Sequence, residues 1–234
     1  MPTLLLFGAS GAIGGAIREY FLRDGWSVVA VGRPHGSESG PQATIDIQYD
    51  ALTSGDGSAF KAFAPFDAVC WAQGMNLNDS IHAFDRDQHL ALYEANCLSI
   101  ALSLSMLLNE GHLAKPARLC VISSIWQNIT RQNKFSYSVT KAALKGLVLS
   151  AAADLARDGH LINAVLPGVL ETPMTRANLS EAQIRSFEHA TLFGSLAGLE
   201  EVAYAVWSLV SPRNGGITGQ FIKVDRGYSD VRIV

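Results

Sequence analysis

Short, wholly apolar runs alternate along the chain with longer segments in which apolar residues recur at helical spacing. The first run, Thr3–Phe7, ends at Gly8 and is typical of a strand buried on both faces of a parallel sheet. Similar runs predict strands at residues 27–31, 43–47, 68–71 and 118–123. Strands that alternate with helices in this way predict an α/β fold with a parallel sheet.

Two segments predict helices. The apolar residues that follow Gly15, from Ala16 to Phe21, have a helical spacing that ends near Gly25. Residues 85–109 predict a long buried helix with Asn96 in its middle. A buried asparagine needs hydrogen-bond partners, so it either satisfies a backbone group or binds a water that serves an active site.

The composition is that of an ordinary globular protein, with 234 residues of which 48% are hydrophobic and 17% charged. A chain of this length suits a single α/β domain, here residues 1–234, that buries about three-quarters of its unfolded surface. The net charge of −3 and the pI near 6.0 argue against a nucleic acid or an anionic membrane as partner. We therefore expect a small-molecule substrate.

Cysteine and histidine positions narrow the chemistry further. The three cysteines lie singly in apolar runs, so neither a disulfide framework nor a zinc site is predicted. The six histidines show no metal-ligand spacing, and we predict no catalytic metal. The N-terminus lacks a basic segment and no apolar run approaches the length of a membrane span, which predicts a cytoplasmic protein without a membrane partner.

A glycine-rich turn follows the first strand. Gly8, Gly11 and Gly14 recur every three residues between the strand and the first helix. Such glycines let backbone amides approach a pyrophosphate, and the N-terminus of the helix supplies partial positive charge. A merely tight turn is the alternative, but the flanking strand and helix favour nucleotide binding.

The second strand is followed by Gly32 and Arg33, where dinucleotide-binding folds place an acidic residue on the ribose 2′-hydroxyl. No acid is present here. Arg33 can pair with a 2′-phosphate, so the sequence favours NADP over NAD, with a solvated loop arginine as the alternative.

Tyr137 and Lys141 are the strongest candidates for chemistry. Residues four apart lie on one helix face, so a phenol and an ammonium would stand side by side. The strand that ends at residue 71 is followed by Gly74, and the strand that ends at residue 123 delivers Ser124. Both positions belong to the carboxyl edge of the predicted sheet, where ligands bind in such folds.

Taken together, these features resemble the short-chain dehydrogenase/reductase family, in its single-domain, 3-oxoacyl reductase-like type. The resemblance covers nearly the whole chain and rests on the glycine turn from Gly8 to Gly14, Asp46-Ile47, Asn96, Ser124, Tyr-Ser-Val-Thr-Lys at 137–141, Asn-Ala-Val-Leu-Pro-Gly at 163–168, Glu-Thr-Pro-Met at 171–174 and Thr-Gly-Gln at 218–220. It implies a Rossmann-like, doubly wound parallel sheet of about seven strands with helices on both faces. It also implies an NADP-dependent oxidoreductase that interconverts a ketone and a secondary alcohol, in a homodimer or homotetramer.

The resemblance also assigns roles to individual residues. Tyr137 would be the acid and base, with the pKa of its phenol brought toward neutral by Lys141 and by the oxidised nicotinamide. Ser124 would donate a hydrogen bond to the substrate oxygen, and Asn96 would hold a water that links Lys141 to solvent. The cofactor would be bound by Gly8, Ser10, Gly11, Ile13, Gly14, Arg33, Asp46, Ile47, Gly74, Tyr137, Lys141, Pro167, Gly168, Leu170 and Thr172.

By the same resemblance, residues 174–193 would form a mobile lid over the substrate. Three positions depart from the family pattern, because Ala12 and Arg226 each replace a glycine and Ala72 replaces an asparagine. A non-catalytic protein that senses the dinucleotide is therefore the alternative function, and an epimerase or dehydratase is a third. The complete catalytic set favours the oxidoreductase.

The residues around the predicted site do not name the substrate. Trp126 either borders the pocket or belongs to the core. Arg131 and Lys134, in the loop before Tyr137, either meet an acidic tail of the substrate or form a solvated face.

Overall fold

One parallel sheet organises the computed structural model, which describes residues 1–34, 44–54, 56–172, 175–176 and 179–231. Its strands are β1 (Thr3–Phe7), β2 (Ser27–Gly32), β3 (Ile47–Gln48), β4 (Phe66–Trp71), β5 (Leu113–Ile122), β6 (Leu161–Pro167) and β7 (Phe221–Val224). Their order across the sheet is β3-β2-β1-β4-β5-β6-β7, and each neighbouring pair is parallel. This is the order of a doubly wound, Rossmann-like sheet, so the predicted fold is confirmed.

Helices cover both faces of the sheet. They are α1 (Ala12–Arg23), α2 (Arg86–Tyr93), α3 (Ser99–Asn109), α4 (Phe135–Leu155), α5 (Glu181–His189) and α6 (Leu199–Val210), with a π-helical turn, Glu94–Leu98, between α2 and α3. One apolar layer packs α3 and α4 against the sheet, and the other packs α1 and α6 against it.

The apolar run of β1 is explained by these two layers. Leu5 and Phe7 belong to the layer with α3 and α4, whereas Leu4 and Leu6 belong to the layer with α1 and α6. Successive side chains of a strand point to opposite faces, so a central strand covered on both sides has no position for a polar residue.

The predicted third strand, residues 43–47, is wrong in its bounds. Residue 43 lies outside the described residues, and the strand begins only at Ile47. The carboxylate of Asp46 accepts a hydrogen bond from the Ala30 amide at 2.8 Å, in addition to the backbone bond from Asp46 to Ala30. Because this side chain takes a donor of β2, the regular ladder starts one residue later.

The predicted long helix is present as one helical run of 24 residues, Arg86–Asn109. By length and composition this run is apolar enough to cross a membrane, which corrects our expectation that no such run exists. One helix of this kind is weak evidence for a span, because core helices pass the same test. Here Ile100, Leu104 and Leu107 are buried against the sheet.

Candidate active site

The predicted site residues lie at one edge of the sheet. Gly8, Gly74, Ser124 and Gly168 follow the carboxyl ends of β1, β4, β5 and β6. Because the strands are parallel, these ends meet at the same edge, which is where open α/β sheets bind ligands.

The turn between β1 and α1 is closed by backbone contacts that require glycine. Gly8 has a φ of +77°, and a Cβ there would lie 2.5 Å from the backbone nitrogen of Gln73. A Cβ on Gly14 would lie 2.1 Å from the Gly8 carbonyl oxygen, which also accepts from the Gly11 amide at 3.1 Å. The turn therefore requires glycine at Gly8 and Gly14.

The N-terminus of α1 fits an anionic group. Its N-cap, Gly11, makes no side-chain hydrogen bond, and the first turn contains no acidic residue. Ser10, Gly11 and Ala12 are exposed and Ile13 is half-buried, so the departure at Ala12 lies on the open side of the turn. Free amides at a helix N-terminus suit a pyrophosphate. The buried Oε1 atom of Gln73, which has no hydrogen-bond partner among the described residues, suits a hydroxyl donor. The edge thus fits a dinucleotide.

The residues predicted to hold the adenosine half lie at the ends of β2 and β3. Arg33 is exposed, whereas Ile47 is buried and pairs with Val31. One carboxylate oxygen of Asp46 accepts a hydrogen bond from the Ala30 amide.

Gly74, Asn96 and Lys141 lie together at the rear of the site. A Cβ on Gly74 would lie 3.2 Å from Asn96 Oδ1 and 3.6 Å from Lys141 Nζ. The amide side chain of Asn96 is paired within the protein, with the Met75 backbone at 2.7 and 3.1 Å and with Thr140 Oγ1 at 3.0 Å. The side chain of Asn96 therefore satisfies backbone groups, which is one of the two predicted alternatives. Its binding of a water stays a prediction.

Tyr137 lies in the first turn of α4, with the side chain of Ser124 near its phenol. Burial raises the pKa of Tyr137 above its usual value of 10.0, and the neighbouring Ser124 side chain lowers it by a smaller amount. In the protein without a cofactor, the pKa of Tyr137 is therefore not lowered toward neutral as expected, because desolvation of the phenolate outweighs the effect of Ser124.

Lys141 is buried beside Tyr137. Its Nζ atom donates to the Ile122 carbonyl at 3.2 Å and lies 5.7 Å from the centre of the Tyr137 ring. Burial lowers the pKa of Lys141 to about 8, and the neighbouring Cys97 thiol acts in the opposite direction. The structure brings the phenol and the ammonium together as their spacing predicts, and their catalytic roles stay predictions.

A second ammonium, that of Lys134, lies closer to the Tyr137 ring, at 5.0 Å from its centre. Lys134 is only 5% exposed, and its Nζ atom donates to Asn76 Oδ1 at 2.5 Å and to the Leu77 carbonyl at 3.4 Å. The sequence did not reveal this burial, because the two partners are 58 and 57 residues away. The sequence signal that could have pointed to Lys134 is its position one helical turn before Tyr137.

The start of α4 is fixed by Asp79, which sequence reasoning missed. Its carboxylate accepts from the Ser136 amide at 2.9 Å and from the Ser136 hydroxyl at 2.5 Å, and Nδ1 of His89 lies 2.8 Å from that hydroxyl. A carboxylate at a helix N-terminus satisfies a free amide and interacts favourably with the helix dipole. Asp79 therefore holds the turn that carries Tyr137.

The residues predicted to flank the nicotinamide follow β6. Pro167 ends the strand, and a Cβ on Gly168 would lie 2.8 Å from Asp225 Cβ, so glycine permits this close approach. Leu170 forms an isolated bridge with Ala197. The hydroxyl of Thr172 is already used locally, because it accepts from the Thr175 amide at 3.1 Å.

The predicted lid, residues 174–193, contains α5. Met174, the first residue of this lid, lies outside the described residues. Phe187 of α5 lies 5.8 Å from Tyr228, measured between ring centres, and Tyr228 contacts Trp126 edge-on. Trp126 is 8% exposed and belongs to the core, so the core alternative is the correct one for it.

Arg226 occupies the position where the family pattern has glycine, with a φ of +52°. Its guanidinium binds Ser195 Oγ and Glu201 Oε1, in the segment after the lid helix. Within the described residues no group of three or more His, Cys, Asp or Glu is placed to hold a metal ion.

Comparison with known proteins identifies the family. A family model described as Enoyl-(Acyl carrier protein) reductase, of the short-chain dehydrogenase type, matches residues 8–229. The chain belongs to the short-chain dehydrogenase/reductase family. The predicted family and the predicted enzyme class, an NAD(P)-dependent oxidoreductase, are confirmed.

Known family members align over almost the full length of the chain. The 3-oxoacyl-[acyl-carrier-protein] reductase FabG of Vibrio cholerae is 29% identical, with 95% of both chains covered. The cis-4-hydroxycyclohexanecarboxylate dehydrogenase of Sinomonas cyclohexanicum is 27% identical, over 96% of this chain and 95% of that one. The structure of ElxO with NADP bound has the same fold, with a TM-score of 0.80 at 22% identity over 97% of this chain and 98% of that chain.

Proposed function

We propose that this short-chain dehydrogenase/reductase interconverts a ketone and a secondary alcohol, with NADP as cofactor and Tyr137 as acid and base. One observation carries the proposal. The phenol of Tyr137 lies near the side chain of Ser124, and the Lys141 ammonium lies 5.7 Å from the centre of its ring. This is the set of groups that hydride transfer to a carbonyl needs around the oxygen.

NADPH bound at the glycine turn would supply the hydride for reduction and NADP+ would accept it during oxidation, and the other roles fall to the chain. Tyr137 gives its proton to the substrate oxygen during reduction and takes a proton from it during oxidation. Ser124 donates a hydrogen bond to the same oxygen, a contribution of about 3 kcal/mol when aligned. The charge of Lys141 favours the phenolate that remains, and its pKa of about 8 lets it exchange a proton near neutral pH.

The preference for NADP is supported by the end of β2. Gly32, Arg33 and Pro34 include no acidic residue that would bind a ribose 2′-hydroxyl and repel a 2′-phosphate, and Arg33 is exposed there. A guanidinium binds phosphate through two parallel hydrogen bonds. Besides Arg33, the resemblance assigns 14 residues to the cofactor. Among these, the turn requires glycine at Gly8 and Gly14, and Gly74 lies next to Lys141.

The substrate class is supported by the relatives. By their names, one acts on a 3-oxoacyl group and the other on a hydroxycyclohexanecarboxylate, so their substrates include a ketone and a secondary alcohol. A small-molecule ketone or alcohol is therefore the proposed substrate. We further propose a homodimer or homotetramer in the cytoplasm.

Tyr137→Phe tests the proposal. The variant removes the proton but keeps the ring, so turnover of a ketone panel should fall about 1000-fold while NADPH affinity changes little. Initial rates and fluorescence titration of NADPH measure the two effects, with Tyr93→Phe, at an exposed tyrosine of α2, as the matched control. Turnover within a few-fold of the unsubstituted enzyme would contradict the role of Tyr137, and equal affinity for NADH and NADPH would contradict the cofactor preference.

A further inference from the structure

Arg131 lies beside the proposed active site with part of its guanidinium unpaired. Its Cζ atom lies 6.0 Å from the centre of the Trp126 ring, and Nη1 donates to the Gln132 carbonyl at 3.2 Å. Its Nε atom is buried and has no hydrogen-bond partner among the described residues. A buried donor left unpaired costs free energy, so the site is arranged for an acceptor that the described part of the chain does not provide.

A cavity of about 180 Å³ lies between Arg131 and the lid. It is lined by Arg131, Leu179, Gln183, Ser186 and Phe187. Oε1 of Gln183 is used by the capping box with Ser180, which leaves the Nε2 donor of Gln183 available. The cavity therefore combines two apolar walls with a cation, an amide donor and a hydroxyl. This volume suits a small acid group with a few carbon atoms.

Lys134 adds a second cation near the first, although it does not line this cavity. A left-handed turn at Asn133, with a φ of +59°, separates it from Arg131, and asparagine tolerates this conformation. The partners of Lys134, Asn76 and Leu77, are neutral. The nearby carboxylate of Asp79 is held by the Ser136 amide and hydroxyl.

Arg131 and Lys134 form no ion pair with a carboxylate among the described residues. The two charges repel each other, because Arg131 acts with burial to lower the pKa of Lys134 to about 8, and the nearby Asp79 carboxylate opposes this only in part. An anion between them would relieve this repulsion and satisfy the unpaired guanidinium nitrogen.

We propose that Arg131 binds the carboxylate of the substrate and that the nearby charge of Lys134 strengthens this binding, so that the substrate is a small keto acid and the product a hydroxy acid. The carboxylate lies in the cavity under α5, and the carbonyl lies at Tyr137 and Ser124. This assignment rests on the proposed function, because it names the substrate class of the same site.

A matched substrate series tests the proposal. Straight-chain keto acids from 3-oxobutanoate to 6-oxoheptanoate are compared with their methyl esters, and the ratio of kcat/KM for acid over ester is measured. The ratio should exceed about 100 for the best chain length, because a charge-assisted, two-point contact is lost in the ester. Arg131→Gln and Lys134→Gln should each lower this ratio at least 10-fold, chiefly through KM. Arg185→Gln removes an exposed lid charge of the same sign and should leave the ratio as it is.

Direct binding separates this proposal from the proposed function. Calorimetry with Tyr137→Phe and saturating NADPH should show that the best keto acid binds at least 10-fold more tightly than its ester, and Arg131→Gln in that background should abolish the difference. Turnover of neutral ketones with an acid-to-ester ratio near one, or a preference for an acyl thioester over every acid, would overturn the carboxylate site and keep the proposed function. If the unsubstituted enzyme binds the keto acid but does not turn it over, the proposed function would be overturned and the carboxylate site would be kept.

Discussion

At the scale of single residues, Lys141 is a charge held in an apolar environment. It is 4% exposed, and burial lowers its pKa from 10.5 to about 8. Burial of the charged form lowers the free energy of unfolding at neutral pH, and this loss fades when the amine becomes neutral. The proposed catalytic position of Lys141 is therefore kept at the expense of stability.

The variant Lys141→Met should show this cost. Since the pKa of the folded state lies below that of the unfolded state, the unfolded chain binds more protons between pH 8 and 10.5, and stability rises with pH across this window. The variant should be more stable than the unsubstituted protein at pH 7 by on the order of 3 kcal/mol, with the difference shrinking as pH rises toward 10.

Urea unfolding at pH 7, 8.5 and 10 measures this difference. Lys145→Met, at an exposed lysine of the same helix, should show no comparable change with pH. A Lys141→Met difference that stays constant from pH 7 to 10 would contradict the buried charge.

Sequence predicted the local relations of the site and missed the distant ones. Tyr137 and Lys141 meet because both lie on α4, where spacing fixes the geometry. The burial of Lys134 and the cap that Asp79 makes on α4 depend on the loop after β4, and no local pattern reports contacts across 57 residues. The raised pKa of Tyr137 was missed for the same reason, since burial is a property of the packed molecule.

At the scale of elements, the turn between β1 and α1 offers a direct comparison of adjacent glycines. A Cβ on Gly14 would lie 2.1 Å from the Gly8 carbonyl oxygen, whereas the nearest atom to a Cβ on Gly15 is 4.0 Å away. Gly14→Ala should therefore distort the turn, destabilise the protein by about 2–4 kcal/mol and weaken NADPH binding. Gly15→Ala should stabilise α1 by up to about 1 kcal/mol.

Urea unfolding and NADPH titration of the two variants check this prediction. Equal stability of Gly14→Ala and Gly15→Ala would show that the turn can relax, and the backbone contact between Gly14 and Gly8 would lose its importance.

Strand bounds were predicted well for β1, but poorly for β3 at the margin of the sheet and for β5, which begins at Leu113 and not at residue 118. The bounds of β1 match the prediction because a continuous apolar run closed by Gly8 leaves no ambiguity. The start of β3, at the edge of the sheet, could not be predicted from the apolar residues alone. Strand pairing there begins after Asp46, whose side chain binds the Ala30 amide. The helical run from Arg86 was predicted, but the π-helical turn at Glu94–Leu98 has no sequence pattern that we used.

At the scale of the whole molecule, α4 presents a stripe of small and apolar residues to solvent. Val139, Ala142, Gly146, Leu149 and Ala153 recur every three or four residues and are all exposed. A Cβ on Gly146 would meet no atom within 4 Å, so the chain itself does not require glycine there. Small residues on an exposed helix face allow close packing of a second helix, which supports the proposed homo-oligomer.

Gly146→Arg should therefore separate the subunits without unfolding them. The side chain has free space in one chain and a clash in a packed helix pair, so light scattering after gel filtration should show the mass of a single chain. Leu22→Arg, at an exposed apolar residue of α1, serves as the control and should keep the mass of the oligomer. If Gly146→Arg also keeps that mass, the subunit contact lies elsewhere.

The strand order has a consequence for synthesis of the chain. β1 is made first but lies in the middle of the sheet, where Leu5 pairs with Val29 of β2 and Val69 of β4. The other edge of β4 stays open until Cys120 of β5 arrives to pair with Cys70, about 50 residues later. At ribosomal rates this interval lasts roughly 3 to 10 s, during which an apolar edge strand is available to other chains. The topology that gathers the active site thus also sets the period in which the nascent protein most needs a chaperone.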